Sequence, residues 1–263
     1  MTQPRMPQLQ GNPIWFALAT PDPAGAKSFY TGLFGWEWAD VPMSGGDTYH
    51  MAIRGDANIA GMSADNHAEG VAGVWINSVY VEDAEEIVKR VQANGGRVLS
   101  GPHNADGWGV TATVATPEGA VFGLWQSLMG YGADIFAELG AVCWIEYHTG
   151  DLEAAKRFYS EAFGADFDTI TMPMDDDAGS DYKVTMLSID GEQMPCALFA
   201  LTGDESTARW ATYFMVEDIH SSVARAESLG AKVVFPVMDV PPGSLASLTD
   251  PQGVRFSLWQ PAV

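Results

Sequence analysis

The chain has 263 residues, 34 of them acidic and 13 basic, and a formal net charge of −21 at pH 7. Hydrophobic residues make up 47% and charged residues 18%, which excludes a disordered chain and supplies apolar cores for about two domains of ordinary size. Such acidity excludes non-specific binding to nucleic acid or to an anionic membrane surface, because both require a basic footprint.

The first twelve residues, MTQPRMPQLQGN, lack the apolar run of a secretory signal, and no window approaches the roughly 18 apolar residues of a membrane helix. A soluble, cytoplasmic protein is expected. Residues 14–20 read as a short apolar strand leading to Asp22, which caps a helix whose Ala, Phe and Tyr recur at helical spacing until Phe34-Gly35 stops it. Two or three short strands follow. The rhythm restarts with a strand at 74–81, a helix from Asp83 to Gly95, and strands ending at Trp125-Gln126. After the seam SLMGYGADIFAELG (127–140), a strand at 143–149 and a helix from Asp151 open a second cycle. That cycle continues through a strand at 210–216, a helix from Asp218 to Gly230, and strands ending at Trp259-Gln260. The two cysteines, Cys143 and Cys196, form no CxxC pair and read as free thiols.

The two cycles are copies. Residues 14–35 align without gaps on 143–164, and nine of the 22 columns are identical, among them Trp15/Trp144, Asp22/Asp151, Phe29/Phe158, Tyr30/Tyr159 and Gly35/Gly164. WINSVYVEDAEEIVKRVQANGG (75–96) matches WATYFMVEDIHSSVARAESLGA (210–231), and TPEGAVFGLWQ (116–126) matches DPQGVRFSLWQ (250–260). Similarity kept in one order implies a duplicated domain, at 12–127 and 140–261. The unit of strand, helix and three strands occurs four times. The expected fold class is α+β: four βαβββ modules in two domains, each an incomplete barrel with a helix-covered face and a concave face suited to a ligand.

These motifs, D-x-x-x-A-K-x-F-Y-x-x-x-F-G (22–35, 151–164), V-E-D (81–83, 216–218) and [TD]-P-x-G-x-x-F-x-L-W-Q, resemble the vicinal oxygen chelate superfamily, which includes glyoxalase I, bleomycin-resistance proteins, fosfomycin-resistance enzymes and extradiol dioxygenases. The likeness runs from about Asn12 to Gln260 and is nearest to bacterial two-domain glyoxalase-like proteins. It implies a fold and leaves the chemistry open. The resemblance also implies three metal-ligand positions per domain: seven residues before the capping Asp, seven before the Asp of V-E-D, and four after the Gly of P-x-G. Here they hold Trp15, Ile76 and Gly123, then Trp144, Ala211 and Ser257. None supplies an imidazole or carboxylate, so no metal is expected, and without a GxGxxG or Walker signature no nucleotide cofactor is expected either.

Side chains alternate along strands, so the same positions set which parity faces each concave side. Trp15, Ala17, Ile76, Ser78, Tyr80, Gly123 and Trp125 then face the first. Trp144, Glu146, His148, Ala211, Tyr213, Met215, Arg255, Ser257 and Trp259 face the second. Trp75 and Trp210 fall on the helix-packed face. Trp15, Tyr80, Trp125, Trp144, Met215, Arg255 and Trp259 are the candidate ligand-binding residues, with bulky core packing as the competing reading for the tryptophans. Glu146 and His148, two apart on one strand, are candidate acid–base residues with Tyr213 as an oxyanion donor, against a satisfied buried ion pair. Arg255 either clamps a carboxylate or neutralises Glu146. The more polar second face is the expected active site. His50 has no determined facing, His67 and His220 read as solvated, His103 as a loop residue, and Asp175-Asp176-Asp177 as a solvated loop.

Two classes of function compete. The first is metal-independent binding of a small organic molecule between aromatic walls, favoured for cations by the acidic surface. The second is an enzyme in which Glu146 or His148 abstracts a proton next to a carbonyl. A metal-dependent glyoxalase or dioxygenase is disfavoured by the six positions above. The two halves can supply one another's interface, so a monomer or a homodimer is expected.

Overall fold

The computed structural model describes residues 8–44, 46–64, 73–130, 132–174, 181–201 and 207–262. The first unit comprises β1 (Pro13–Ala19), α1 (Pro23–Phe34), β2 (Glu37–Pro42), β3 (Thr48–Arg54) and β4 (Ala57–Ser63). The second comprises β5 (Val74–Tyr80), α2 (Ala84–Ala93), β6 (Arg97–Ala105), β7 (Gly109–Ala115) and β8 (Val121–Ser127). The third is β9 (Val142–Thr149), α3 (Leu152–Phe163), β10 (Ala165–Pro173), β11 (Asp181–Ile189) and β12 (Glu192–Ala200). The fourth is β13 (Arg209–Met215), α4 (Ile219–Ser228), β14 (Lys232–Val240), β15 (Gly243–Thr249) and β16 (Arg255–Pro261). The α+β class and the four βαβββ modules are as the repeats required.

Each helix starts at an aspartate that follows the preceding strand within three residues. Asp22, Asp83, Asp151 and Asp218 each accept the backbone N–H three residues on, satisfying a donor that the first helical turn leaves open. The helices α1 and α3 stop at Gly35 and Gly164, both left-handed at φ 74°, where a side chain would be strained.

The strands form two eight-stranded sheets with the same order, β2-β3-β4-β1-β5-β8-β7-β6 and β10-β11-β12-β9-β13-β16-β15-β14. In each, two modules join antiparallel at the middle, β1 to β5 and β9 to β13, and the sheet curls into a half-barrel. The sheets meet along β5 and β13, with α1 against α4 and α2 against α3. The main core runs through both halves. Tyr30 of α1 packs on Phe214 and Phe256 of the second sheet, and Phe122 of the first sheet packs on Tyr159 and Phe163 of α3. Trp75 is buried and Trp210 half-buried in that core, on the helix-packed face. Polar contacts tie the halves as well: Thr212 donates to Asn77 Oδ1 at 3.0 Å, and the Trp36 indole donates to the Gly140 carbonyl at 2.7 Å.

One element departs from expectation. His103 does not lie in a loop but on β6, whose Gly101-Pro102 reads locally as a breaker. β6 is an edge strand, and its pairing with β7 shifts register between Ser100 and His103, so a residue without an N–H is accommodated there.

Candidate functional site

The concave face of the first sheet encloses a hollow of about 560 Å³. Trp15 and Ala17 from β1, Ile76 and Ser78 from β5, and Gly123 and Trp125 from β8 line it, the parity inferred from alternation. Tyr80 lies on the same parity of β5, beside Trp125, but falls outside the hollow's lining and packs against the core. Further walls come from strands whose facing the sequence did not anchor: Tyr49 and Met51 on β3, His103 on β6, and Thr111 and Thr113 on β7.

The duplicated halves explain why this hollow exists. In the first sheet Ala17 pairs with Gly61, and Gly61 with Met51; in the second, Glu146 pairs with Ala197, and Ala197 with Met186. Small residues at adjacent positions leave the first floor open, whereas Glu146 fills the second. One ladder further, Ser78 beside Gly123 in the first half becomes Tyr213 beside Ser257 in the second. Gly123 is needed there, since a Cβ would come within 2.1 Å of Ser78 Oγ.

At the floor, the Trp15 indole donates to Tyr49 Oη at 2.7 Å. The phenol lies directly over Gly61, where a Cβ would meet the Tyr49 hydroxyl at 1.9 Å. Burial pushes the Tyr49 hydroxyl up to about 12, so it stays protonated at neutral pH. At the rim, the backbone N–H of Ser44 donates to Asp106 Oδ2 at 2.8 Å and the Ser44 hydroxyl donates to Oδ1. These bonds tie the β2–β3 tip to the β6–β7 tip and hold the Asp106 carboxyl below its usual range. Trp108, on the same tip, and Asp47 complete the rim.

Among the described residues, the second concave face carries large side chains gathered around Glu146. Glu146 is 5% exposed and accepts from Tyr213 Oη at 2.6 Å, from the Trp144 indole at 3.2 Å, and contacts His148 Nε2 at 2.9 Å. The sequence pair Glu146 and His148 therefore does meet, with Tyr213 on the same carboxylate oxygen as His148. Trp144, Tyr182 and Phe199 close over Val184, Met186 and Ala197, and His148 stacks on Phe199 at 5.8 Å between centroids. Arg255 donates to Ser247 Oγ at 3.0 Å and lies over the Phe235 ring. Met215 and Trp259 pair across β13 and β16, with the Trp259 ring edge over Gly243.

The remaining titratable candidates lie elsewhere. His50 faces away from the hollow and contacts Asp40 at 2.7 Å, beside Lys27. His220 is exposed on α4. His67 and Asp175-Asp176-Asp177 lie outside the described residues. Cys143 and Cys196 are free and buried, and burial pushes both thiols up to about 12, which makes them poor nucleophiles.

The six positions where the resemblance implies metal ligands do not fit a divalent ion. Trp15, Ile76 and Gly123 in one half, and Trp144, Ala211 and Ser257 in the other, offer no carboxylate, imidazole or thiolate. Among the described residues no group of three or more His, Cys, Asp or Glu is placed to hold one.

The family model described as "Glyoxalase/Bleomycin resistance protein/Dioxygenase superfamily" matches residues 13–124 and again 142–258. The chain belongs to this superfamily. Within it, the chain is 33% identical over 257 residues to "Putative glyoxylase CFP32" of Mycobacterium tuberculosis, covering 96% of each chain. It is 33% identical over 262 residues to "Anthracycline biosynthesis protein DnrV" of Streptomyces peucetius, covering 94% of this chain and 92% of that one. The 2,3-dioxygenase LapB from Pseudomonas sp. KL28 shares the superfamily's fold, with a TM-score of 0.58 at 14% identity over 97% of this chain and 93% of that one. No helix among the described residues is long and apolar enough to cross a membrane.

Proposed function

We propose that the chain binds a flat aromatic small molecule carrying a cationic group, in the hollow of its first half and without a metal ion. The observation that carries this reading is the hollow itself. Its volume of about 560 Å³ falls within the ordinary range of ligand sites, and Trp15, Tyr49, Trp108 and Trp125 offer aromatic faces to a planar guest. Asp47 and Asp106 at the rim, on a chain of net charge −21, favour a cation over an anion. The name of the Streptomyces relative points the same way, since anthracyclines are fused-ring aromatics bearing an amino sugar. The test is a tryptophan-fluorescence titration with an aminoalkyl anthraquinone, on the parent chain and on Trp125→Ala. Saturable quenching that weakens at least tenfold in the variant is expected; no saturable binding to the parent overturns the reading.

A second reading, acid–base catalysis in the other half, is favoured by one observation: a buried carboxylate, Glu146, touches a histidine whose side chain is 18% exposed and so connects it to solvent. If so, Glu146→Gln abolishes conversion of whatever ligand the chain turns over, while binding persists.

A further inference from the structure

Resting on the binding site proposed above, we infer that the Trp15–Tyr49 pair selects ligands with a carbonyl or quinone oxygen at the ring edge, because the Tyr49 hydroxyl is a hydrogen-bond donor held ready at the floor of the hollow.

An indole N–H can only donate, so in the 2.7 Å contact between Trp15 Nε1 and Tyr49 Oη the phenol oxygen is necessarily the acceptor. That uses one lone pair and leaves the hydroxyl's own proton to be given elsewhere. Among the described residues, the Tyr49 hydroxyl makes no other hydrogen bond. Tyr49 lines the hollow, so the proton is available to a guest.

The pair is fixed by its surroundings. Gly61 gives the phenol oxygen its place on β4, and a side chain there would expel it. The accepted bond from Trp15 fixes the rotation of the hydroxyl and polarises it, since hydrogen bonds in sequence strengthen one another. The floor around the pair is apolar or small, with Ala17, Ile76 and Met51 as neighbours on the lining. A guest without an acceptor there would bury the phenol proton against hydrocarbon, an unfavourable outcome for a polar group cut off from water. A guest with an edge carbonyl, its rings between the tryptophans, satisfies that proton directly. Trp15 acts here as a positioning residue and Tyr49 as the group that touches the ligand.

Two probes with one ring outline and one cation test this: 2-(aminomethyl)anthraquinone and 2-(aminomethyl)anthracene, titrated calorimetrically into the parent chain and into Tyr49→Phe. The parent is expected to prefer the quinone about tenfold, as one well-placed hydrogen bond allows, and Tyr49→Phe to bring the two affinities to near parity. The bound quinone's carbonyl stretch should sit at lower frequency in the parent than in Tyr49→Phe, and Trp15→Phe should move it part of the way. Far-ultraviolet circular dichroism checks that each variant is folded. If both probes bind the parent equally, or if Tyr49→Phe keeps the preference, this inference fails while the binding site stands. If neither probe binds the parent, the binding site fails and this inference with it.

Discussion

Tyr30 and Asp250, 220 residues apart in the chain, meet in the buried seam between the halves, where the Tyr30 hydroxyl donates to Asp250 Oδ2 at 3.2 Å. The Trp75 indole donates to the same Tyr30 oxygen at 3.0 Å, and Asp250 Oδ1 accepts the backbone N–H groups of Gln252 and Val254, each at 2.9 Å. Tyr30→Phe removes the middle member and leaves an indole N–H and a carboxylate oxygen buried without it. The expected loss is roughly 1–3 kcal/mol. Urea unfolding with an unchanged slope and a lowered midpoint would show it; an unmoved midpoint would contradict it.

Asp250 also sets a pH dependence. Burial is the largest influence and raises its carboxyl above the ordinary 3.8, while bonds from the Val254 N–H and the Tyr30 hydroxyl pull the other way. The folded chain therefore holds this proton more tightly than the unfolded chain. The contribution to stability is complete below the ordinary value and is lost as pH rises through the raised one. The difference in melting temperature between the parent and Asp250→Asn should drift across that window, and a constant difference from pH 3.5 to 7 would refute the assignment.

Gly61→Ala should act on both stability and binding. Its Cβ would come within 1.9 Å of the Tyr49 hydroxyl, so the phenol must leave and the Trp15 indole loses its acceptor. A destabilisation of roughly 1–3 kcal/mol is expected. Affinity for the quinone probe should fall about as far as in Tyr49→Phe, and retained affinity would show that the phenol is not where the ligand docks.

Glu146→Ala should be more damaging than Glu146→Gln. Alanine strands the Tyr213 hydroxyl and the Trp144 indole inside the second half, at about 2–4 kcal/mol, whereas glutamine keeps an acceptor oxygen for one of them. Equal midpoints for the two variants would mean that the cluster contributes little to stability.

A fragment spanning 12–127 should not persist as a folded monomer. It would expose the faces of Tyr30, Trp75 and Phe122 that pack on Phe214, Phe256, Tyr159 and Phe163 in the whole chain. Size-exclusion chromatography should return a dimer or aggregate, and a compact monomer with a cooperative melt would rule this out.

Much of the fold was legible because its signals are local and occur in duplicate. Asp22 and Asp151 cap, Gly35 and Gly164 stop, and the periodicity between them needs no knowledge of distant chain. The facing of Trp15, Ile76, Gly123 and Trp125 followed from alternation once one position was anchored. The facing of Tyr49, Met51 and Thr111 is not readable in this way, because β3 and β7 carry no motif that fixes their parity. The expectation that the second face is the active site rests on its polarity, which says nothing about the space beside it. Whether Glu146 leaves space or fills it depends on its neighbours across the ladder, Ala197 and Ala211, and on Tyr213 reaching back to it, and such pairings are set only when distant strands come together. His103 was hidden for a related reason, since only an edge strand tolerates Gly101-Pro102.

The contrast between Ala17 with Ser78 and Glu146 with Tyr213 has a consequence for counting. A chain made of two copies would ordinarily take up two equivalents of a guest, but in the second copy Glu146 and Tyr213 bond to each other where the first copy has Ala17 and Ser78. If the first hollow is the binding site, titration should therefore end at a single equivalent per chain, and a second equivalent would show that the Glu146 half also takes a guest.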